Sequence, residues 1–442
     1  MGSGQRRRSR IESEGEVGMN QIIEKLANHT QVSDYKININ KKSSFELFFV
    51  KGKLETVRRT DTCDKEVTVY VDHDGFKGDA QFHVYPSTTE TQLSQLLDEA
   101  VEKALLINNK PYELPVGQQG NYQVESNFSE YDPAELASII AKTVFDANTI
   151  ENASLNSVEI FINKHTERIC NSRGLDKTQE KYTAMVEAIP TYNGQDQSVE
   201  LYEQYNFNAL DADTLHREIA EKMAEVQARY QAVTPDSPLD CPVVLNKHEL
   251  SQLFMNIAYD LNYGSVYSHS NLFKKGDLIQ SERAGDPIGI IMAGEAAGSV
   301  RSAKFDSDGL SLGKIRIVEN GKAVNYFGAN RFGQYLGEEP TGNLSCICVD
   351  CGSMTETDLN DAKYLEIISM SGLQVDFYND YIGGEIRLAY LHDGSNMIPV
   401  TGISVSGKLG QVLNNIRLSE SSVTFNSYTG PAKAVLQGMK IF

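Results

Sequence analysis

The sequence predicts an α+β protein. An N-terminal mixed α/β domain, with helices packed on a sheet, precedes a C-terminal domain that is mainly β. Three observations carry this. The first half alternates β-rich runs with amphipathic helical stretches. After Pro242 the pattern shifts to short β-rich runs separated by glycine turns. The chain has 442 residues, 40% of them hydrophobic, which is too long for one ordinary domain and apolar enough to build cores.

Residues 1–18 hold a basic cluster with no apolar stretch behind it, so they read as a disordered leader or added segment and not a signal peptide. Met19 is a natural place to start, and residues 20–28 read as a short helix. Strands are expected at 33–39 and 44–52, and then a hairpin turning on Asp74-Gly75, because Asp-Gly tolerates the positive φ angles of a tight turn. Ser87 and Glu90 have capping-box spacing, followed by a stripe of Leu93, Leu96, Leu97, Ala100, Val101, Ala104 and Leu105. Asp132-Pro133 opens a second helix, with Ile139, Ile140, Thr143 and Val144 as its buried face. Strands at 157–163, 167–172 and 181–190 follow, with Arg173-Gly174 as a turn, and then a helix over 212–231. Pro235, Ser237 and Pro238 mark a linker, which divides the chain into 19–234 and 235–442. Beyond it come the strand of PVVLN, a helix over 247–262, and hairpins at Asn320-Gly321 and Asp393-Gly394, suited to a folded-over sheet or barrel.

Composition excludes several classes. With 60 acidic against 41 basic residues, the net charge of -19 repels phosphate backbones, so no direct nucleic-acid partner is expected. No apolar run is long enough for a membrane helix, so no membrane partner is expected either. Six cysteines without an export signal suggest reduced thiols and a cytoplasmic protein.

Three groups of residues could carry chemistry. His248-Glu249 has the start of a zinc-peptidase helix, where two His one turn apart bind the ion and Glu acts as base. Gln252 or Leu253 stands where the second His is due, so a polar helix start is the simpler reading. Cys346, Cys348 and Cys351 could bind a metal through thiolates, yet LSCICVD reads as a strand in which Cys packs as a small hydrophobe. Asp306 with Asp308, and Asp376 with Asp380, are paired carboxylates that could hold a cation, though Asp-Gly is also ordinary turn chemistry. No Walker A sequence, nucleophile elbow or dinucleotide fingerprint is present, and the remaining His suggest no triad.

Four stretches together resemble the TldD/PmbA metallopeptidase family, whose traditional label is modulator of DNA gyrase. They are the opening SFELFFVKGKLETVRRTDTCDKEVTVYVDHDGFKGDA, the middle CPVVLNKHELSQLFMNIAYDLNYGSVYSHSNLF, FDSDGLSLGKIRIVENGKAVNYF, and the final YNDYIGGEIRLAYLHDGSNMIPVTGISVSGKLGQVLNN. Residues 343–352 resemble a further family segment, and the likeness runs in order over about 20–442. The resemblance places Asp306, Asp308, Gly309, Asn343, Asp380, Gly383, Gly384 and Gly407 along a cleft or partner face. At Asp380-Tyr381-Ile382-Gly383-Gly384 the chain departs from the family's pattern.

The resemblance also implies a division of labour. TldD-type members carry His-Glu-x-x-x-His on a helix and a late Cys. PmbA-type members, also called TldE, lack both. The corresponding window here, anchored on PVVL, is Met255 to Asp260 and holds no His, and the last Cys is Cys351. The implied function is a PmbA/TldE-like non-catalytic subunit that binds no zinc itself, beside a zinc-bearing TldD-like partner, with unfolded peptide as substrate. The alternatives are a homodimeric peptide-binding or regulatory module and a metallopeptidase in its own right.

Overall fold

The computed structural model describes residues 18–360, 362–394 and 396–442. The expectation about the leader therefore falls almost wholly on residues outside the described ones.

In the first half, β1 (Asp34–Val50), β2 (Lys53–His73) and β3 (Phe76–His83) form a meander. Its turns are Lys51-Gly52 and Asp74-Gly75, all four residues at positive φ, as tight hairpins require. β4 (Gln119–Gln123), β5 (Ala153–Asn171), β6 (Asp176–Asn193), β7 (Ser198–Glu200) and β8 (Glu203–Phe207) complete an eight-stranded sheet. Its order is β3-β2-β1-β5-β6-β4, with β7 and β8 also on β6.

The strands expected at 33–39 and 44–52 are one strand, β1, and those at 157–163 and 167–172 are one strand, β5. The polar tract Asn40–Ser43 suggested a break. Its backbone nevertheless stays paired to both neighbours, for example Lys41 to Cys63 and to Thr166. A ladder is built by main-chain groups, so it continues where the side chains turn polar.

Helices cover the two ends of one face of this sheet. α1 (Met19–Asn28) and α2 (Glu90–Ala104) bring Ile22, Leu26, Leu93 and Leu97 to Ile37, Val67 and Val69. α3 (Pro133–Asp146) and α4 (Ala212–Gln231) bring Ile140, Val144, Ile219 and Met223 to Leu47, Ile160 and Val186. On β1 both clusters use odd-numbered residues, hence one face. The cap of α2 is Thr89, not Ser87: its hydroxyl accepts from the Gln92 amide at 3.3 Å, and the Gln92 side chain accepts from the Thr89 amide at 2.9 Å. Asp132 caps α3 as its sequence suggests, accepting from the Ala134 amide at 2.9 Å. The buried stripe of α3 is Leu136, Ala137, Ile140, Ala141 and Val144; Ile139 and Thr143 are only half-buried.

The second half forms two sheets that share one core. A six-stranded sheet contains β10 (Ile290–Ala293), β11 (Lys314–Glu319), β12 (Lys322–Ala323), β13 (Cys346–Val349), β20 (Ser422–Phe425) and β21 (Tyr428–Pro431). A nine-stranded sheet contains β9 (Val243–Asn246), β14 (Tyr364–Met370), β15 (Gln374–Asp376), β16 (Tyr381–Asp393) and β17 (Asn396–Val400). Its remaining members are β18 (Ile403–Lys408), β19 (Arg417–Leu418), β22 (Lys433–Leu436) and β23 (Lys440–Ile441). α5 (Lys247–Asp260) contributes Leu250, Leu253, Phe254 and Ile257 to that core, each fully buried. It ends two residues short of the expected 262, because Asn262 caps a new helix, α6 (Tyr263–Tyr267), by accepting from the Gly264 amide at 2.9 Å. α7 (Asn330–Leu336) and α8 (Leu409–Asn415) complete the helices.

Candidate functional site

His248 and Glu249 lie in the first turn of α5, against α4 and β8. The Lys247 ammonium pairs with Glu218 of α4 and lies 5.6 Å from the centre of the Phe425 ring. The His248 ring packs on the same Phe425, with ring centroids 4.2 Å apart, and its Nε2 is 4.0 Å from Glu203 Oε2. Lys222 of α4 lies between two carboxylates, 2.8 Å from Glu203 and 2.5 Å from Glu225. Glu249 is buried, and its Oε2 has no hydrogen-bond partner.

Burial governs the protonation of this cluster. It pushes Glu249 up to about 7, against the pull of Lys222. It pushes His248 down to about 4, helped by the positive Lys222 and Lys247 and opposed by Glu203. Near neutral pH the imidazole is therefore neutral and Glu249 is partly protonated. Glu203 and Glu225 face an ammonium, and among the described residues no three His, Cys, Asp or Glu side chains come together as a metal-ligand set. An open cleft of about 750 Å³ runs beside the cluster, lined by Glu203, Lys222, Glu225, His248 and Phe425 among others.

Cys346 and Cys348 lie on β13, between β10 and β21. The buried Cys346 thiol donates to Ser299 Oγ at 3.4 Å, while Cys351 is exposed beyond the strand's end. Burial raises all three thiols above their ordinary range, which keeps them protonated and poor as ligands or nucleophiles.

Asp306, Asp308, Gly309 and Asn343 come together on the sheet face opposite the helices. Asp306 accepts three backbone N–H groups: Asp308 and Leu310, each at 3.0 Å, and Asn343 at 2.9 Å. Its carboxyl is raised, by burial first and by Asp308 second, against these hydrogen bonds. Lys36 of β1 donates to Asp308 at 2.7 Å. Lys177 of β6 is fully buried and donates to the Gly309 carbonyl and to Ser311 Oγ, both at 2.8 Å. Gln179 Oε1 accepts from the Lys304 amide at 2.7 Å. A polar cleft of about 410 Å³ adjoins this loop, lined by Asn38, Asn40, Arg168, Lys181, Asp306 and Asn343 among others.

The other residues assigned by resemblance lie elsewhere. Ile382, Gly383 and Gly384 of β16 pair with Gly407, Ser406 and Val405 of β18. A Cβ on Gly383 would stand 2.4 Å from the Val405 carbonyl oxygen, so glycine permits the close approach of the strands. Asp380 accepts from the Gly410 amide at 2.7 Å, and Asp376 caps its own turn through Tyr378 and Asn379. No hydrogen bond among the described residues joins this group to the Asp306 group.

Sequence reasoning missed Lys36, Lys177, Glu203, Lys222 and Glu225. The partners of Lys36, Lys177 and Glu203 are remote in the chain or on another element, whereas Lys222 and Glu225 pair with each other three residues apart on α4. The available signals were Lys177 and Gln179, two polar residues on the strand face that alternates with the core, and the i,i+3 spacing of Lys222 and Glu225 on a helix.

Residues 238–442 match the family model described as PmbA/TldA metallopeptidase C-terminal domain. The match covers 205 of the 442 residues and assigns the second half of the chain to this family. The chain's fold runs the length of three solved structures. TldE from Thermococcus kodakarensis superposes with a TM-score of 0.77 at 15% identity, covering 96% of this chain and 99% of that one. A Thermotoga maritima protein named as a modulator of DNA gyrase superposes with a TM-score of 0.75 at 16% identity, covering 96% and 100%. A Bacteroides thetaiotaomicron protein of the same name gives 0.73 at 14% identity. No curated protein matches the chain by sequence. Within the matched residues lies the window Met255 to Asp260. Here Ile257 and Ala258 are core residues, and Asp260 accepts from the Leu272 and Phe273 amides at 2.7 and 2.9 Å. Among the described residues, no helix is long and apolar enough to cross a membrane.

Proposed function

We propose that this chain is the PmbA/TldE-like, non-catalytic subunit of a TldD-type zinc metallopeptidase. In this reading the TldD-type partner holds the zinc, and this chain contributes part of a cleft for unfolded peptide. The observation that carries it is the state of α5 across 255–260. Two of its side chains lie in the core, its one carboxylate caps two backbone amides, and no His stands in it to hold a metal-bound water. The family of residues 238–442 supports the reading, and so does the likeness along the chain to a protein named TldE. The working form of the assembly and the peptide substrate belong to the same proposal.

The experiment is reconstitution. The chain is incubated with an unfolded protein such as casein, alone, with added zinc, and with a TldD-type subunit from the same cells. Cleavage only with the partner is expected. Chelator-sensitive cleavage by this chain alone overturns the proposal, as does one tightly held zinc per purified chain.

A further inference from the structure

The joint between α4 and α5 has more carboxylates than it has cations to satisfy them. Glu203 from β8 and Glu225 from α4 flank the single ammonium of Lys222, and the buried Glu249 of α5 lies within its field without pairing to it. Lys222 meets Glu203 and Glu225 directly, while one oxygen of the buried Glu249 carboxyl meets nothing. The other charges at the joint do not fill this deficit. Lys247 is paired to Glu218, Arg217 is within 4.0 Å of Glu221, and His248 stands over Phe425 with Glu203 4.0 Å away. Across the cleft, Glu366 is held by Lys433 at 2.5 Å and His392 at 3.0 Å. Few other polar ties hold the two sides together here. Asn206 donates to Asn426 Oδ1 at 3.1 Å, and Val233 exchanges two backbone hydrogen bonds with Pro399 and Thr401. The cleft of about 750 Å³ has Glu203, Lys222, Glu225 and His248 in its wall, so a movement at this joint changes its mouth.

We propose that the α4–α5 joint is a proton-operated clasp on this cleft, closed when Glu249 carries a proton and loosened when it is a buried carboxylate without a counter-charge. The balance follows from electrostatics. A protonated Glu249 leaves two carboxylates, Glu203 and Glu225, sharing one ammonium. An ionised Glu249 adds a third negative charge where water is excluded, and opening the joint hydrates it. The sign is set by the direction of the shift. Glu249 is raised from its ordinary 4.5 to about 7 in the closed joint. The closed form therefore binds the proton more tightly, and opening grows with pH between those two values, by up to about tenfold per pH unit, and levels off above.

Hydrogen exchange read by mass spectrometry on the whole chain from pH 5 to pH 8, corrected for intrinsic exchange, tests this. Protection of the amides in the second half of α4 and the first turn of α5 should fall by at least about tenfold over that range. Core amides of β5 and β16 should stay unchanged. Glu249→Gln, which keeps the shape and cannot ionise, should remove most of the joint's pH dependence and leave only what the buried Glu225, itself raised, contributes. Glu203→Gln, which removes a neighbouring negative charge, should move the transition to lower pH. A flat profile in the unmodified protein overturns the proposal whatever the variants do. A fall shared equally by the core amides overturns it too, since that would be a global loss of stability. A Glu249→Gln profile identical to that of the unmodified protein also overturns it.

Discussion

Asp306→Ala tests whether the carboxylate that resemblance assigns to a cleft is in fact a structural part. The side chain accepts three backbone N–H groups, from Asp308, Leu310 and Asn343, and is 8% exposed. Each buried donor left without a partner costs about 1–3 kcal/mol. Three would sum to about 3–9 kcal/mol. Two effects reduce this. Removing a buried carboxyl recovers its own desolvation cost, and the adjoining polar cleft of about 410 Å³ lets water replace some bonds. The expected loss is therefore near the lower end, about 3 kcal/mol. Asp306→Asn keeps an oxygen for Asp308 and Leu310 but turns an amide toward the Asn343 N–H, so it should cost about 1–2 kcal/mol. Because burial raises the Asp306 carboxyl in the folded chain, its contribution is full below the unfolded value and falls as pH rises through the folded one. The gap between the parent and Asp306→Asn should thus be larger at pH 4 than at pH 8. Urea unfolding at the two pH values gives both numbers. A change under about 0.5 kcal/mol for Asp306→Ala would refute the structural reading and leave the carboxylate free for ligand work.

Five further substitutions probe other parts of the framework. Gly309→Val places a β-branched residue at φ +84 with its Cβ 2.6 Å from Leu175, and should lower stability by about 2–3 kcal/mol; Gly313→Ala, where a Cβ would meet nothing within 4 Å, should stay within about 0.5 kcal/mol, both read by thermal melting. Thr89→Ala should cost about 1 kcal/mol of stability and Ser87→Ala under about 0.5, which separates the cap found from the cap expected. Burial alone would raise Asp34, but hydrogen bonds from Arg173, Ser172 and Lys77 outweigh it and hold the carboxyl at about 2, a contribution of about 2 kcal/mol that is present above pH 4 and lost as pH falls through 2. Arg173→Met should remove much of it at pH 7, and the difference from the parent in urea midpoint should shrink on acidification.

The legible parts of the fold are those that local chemistry determines. Asp74-Gly75, Asn320-Gly321 and Gly394 turn where a positive φ was expected, and Asp132-Pro133 starts α3. Extent was harder to read. β1 crosses a polar tract because main-chain pairing to β2 and β5 does not depend on it. The site was least legible because its bonds are non-local. Lys36 meets Asp308 across 272 residues, and Lys177 meets Gly309 across 132. Asp306-Ser307-Asp308-Gly309 reads as a turn, and it is one. What the spacing could not reveal is that two lysines of another sheet hold it.

The candidate carboxylates are better sorted by what their oxygens already accept than by the motif in which they sit. Asp260 takes two backbone amides, Asp306 three, and Asp376 two with a side-chain amide besides. Such groups are fastened to the main chain, and moving them to meet a ligand would expose the donors they serve. Asp380 accepts one amide and holds the turn before β16 against α8. Glu249 differs from all of these. It is buried like Asp306, yet one of its oxygens has no hydrogen-bond partner. Burial without compensation is the condition under which a carboxyl shifts toward neutral pH. The charge of Glu249 can thus change near neutral pH, although its neighbour His248 offers it no zinc partner. A group of that kind suits a role in when the two sides of a cleft separate.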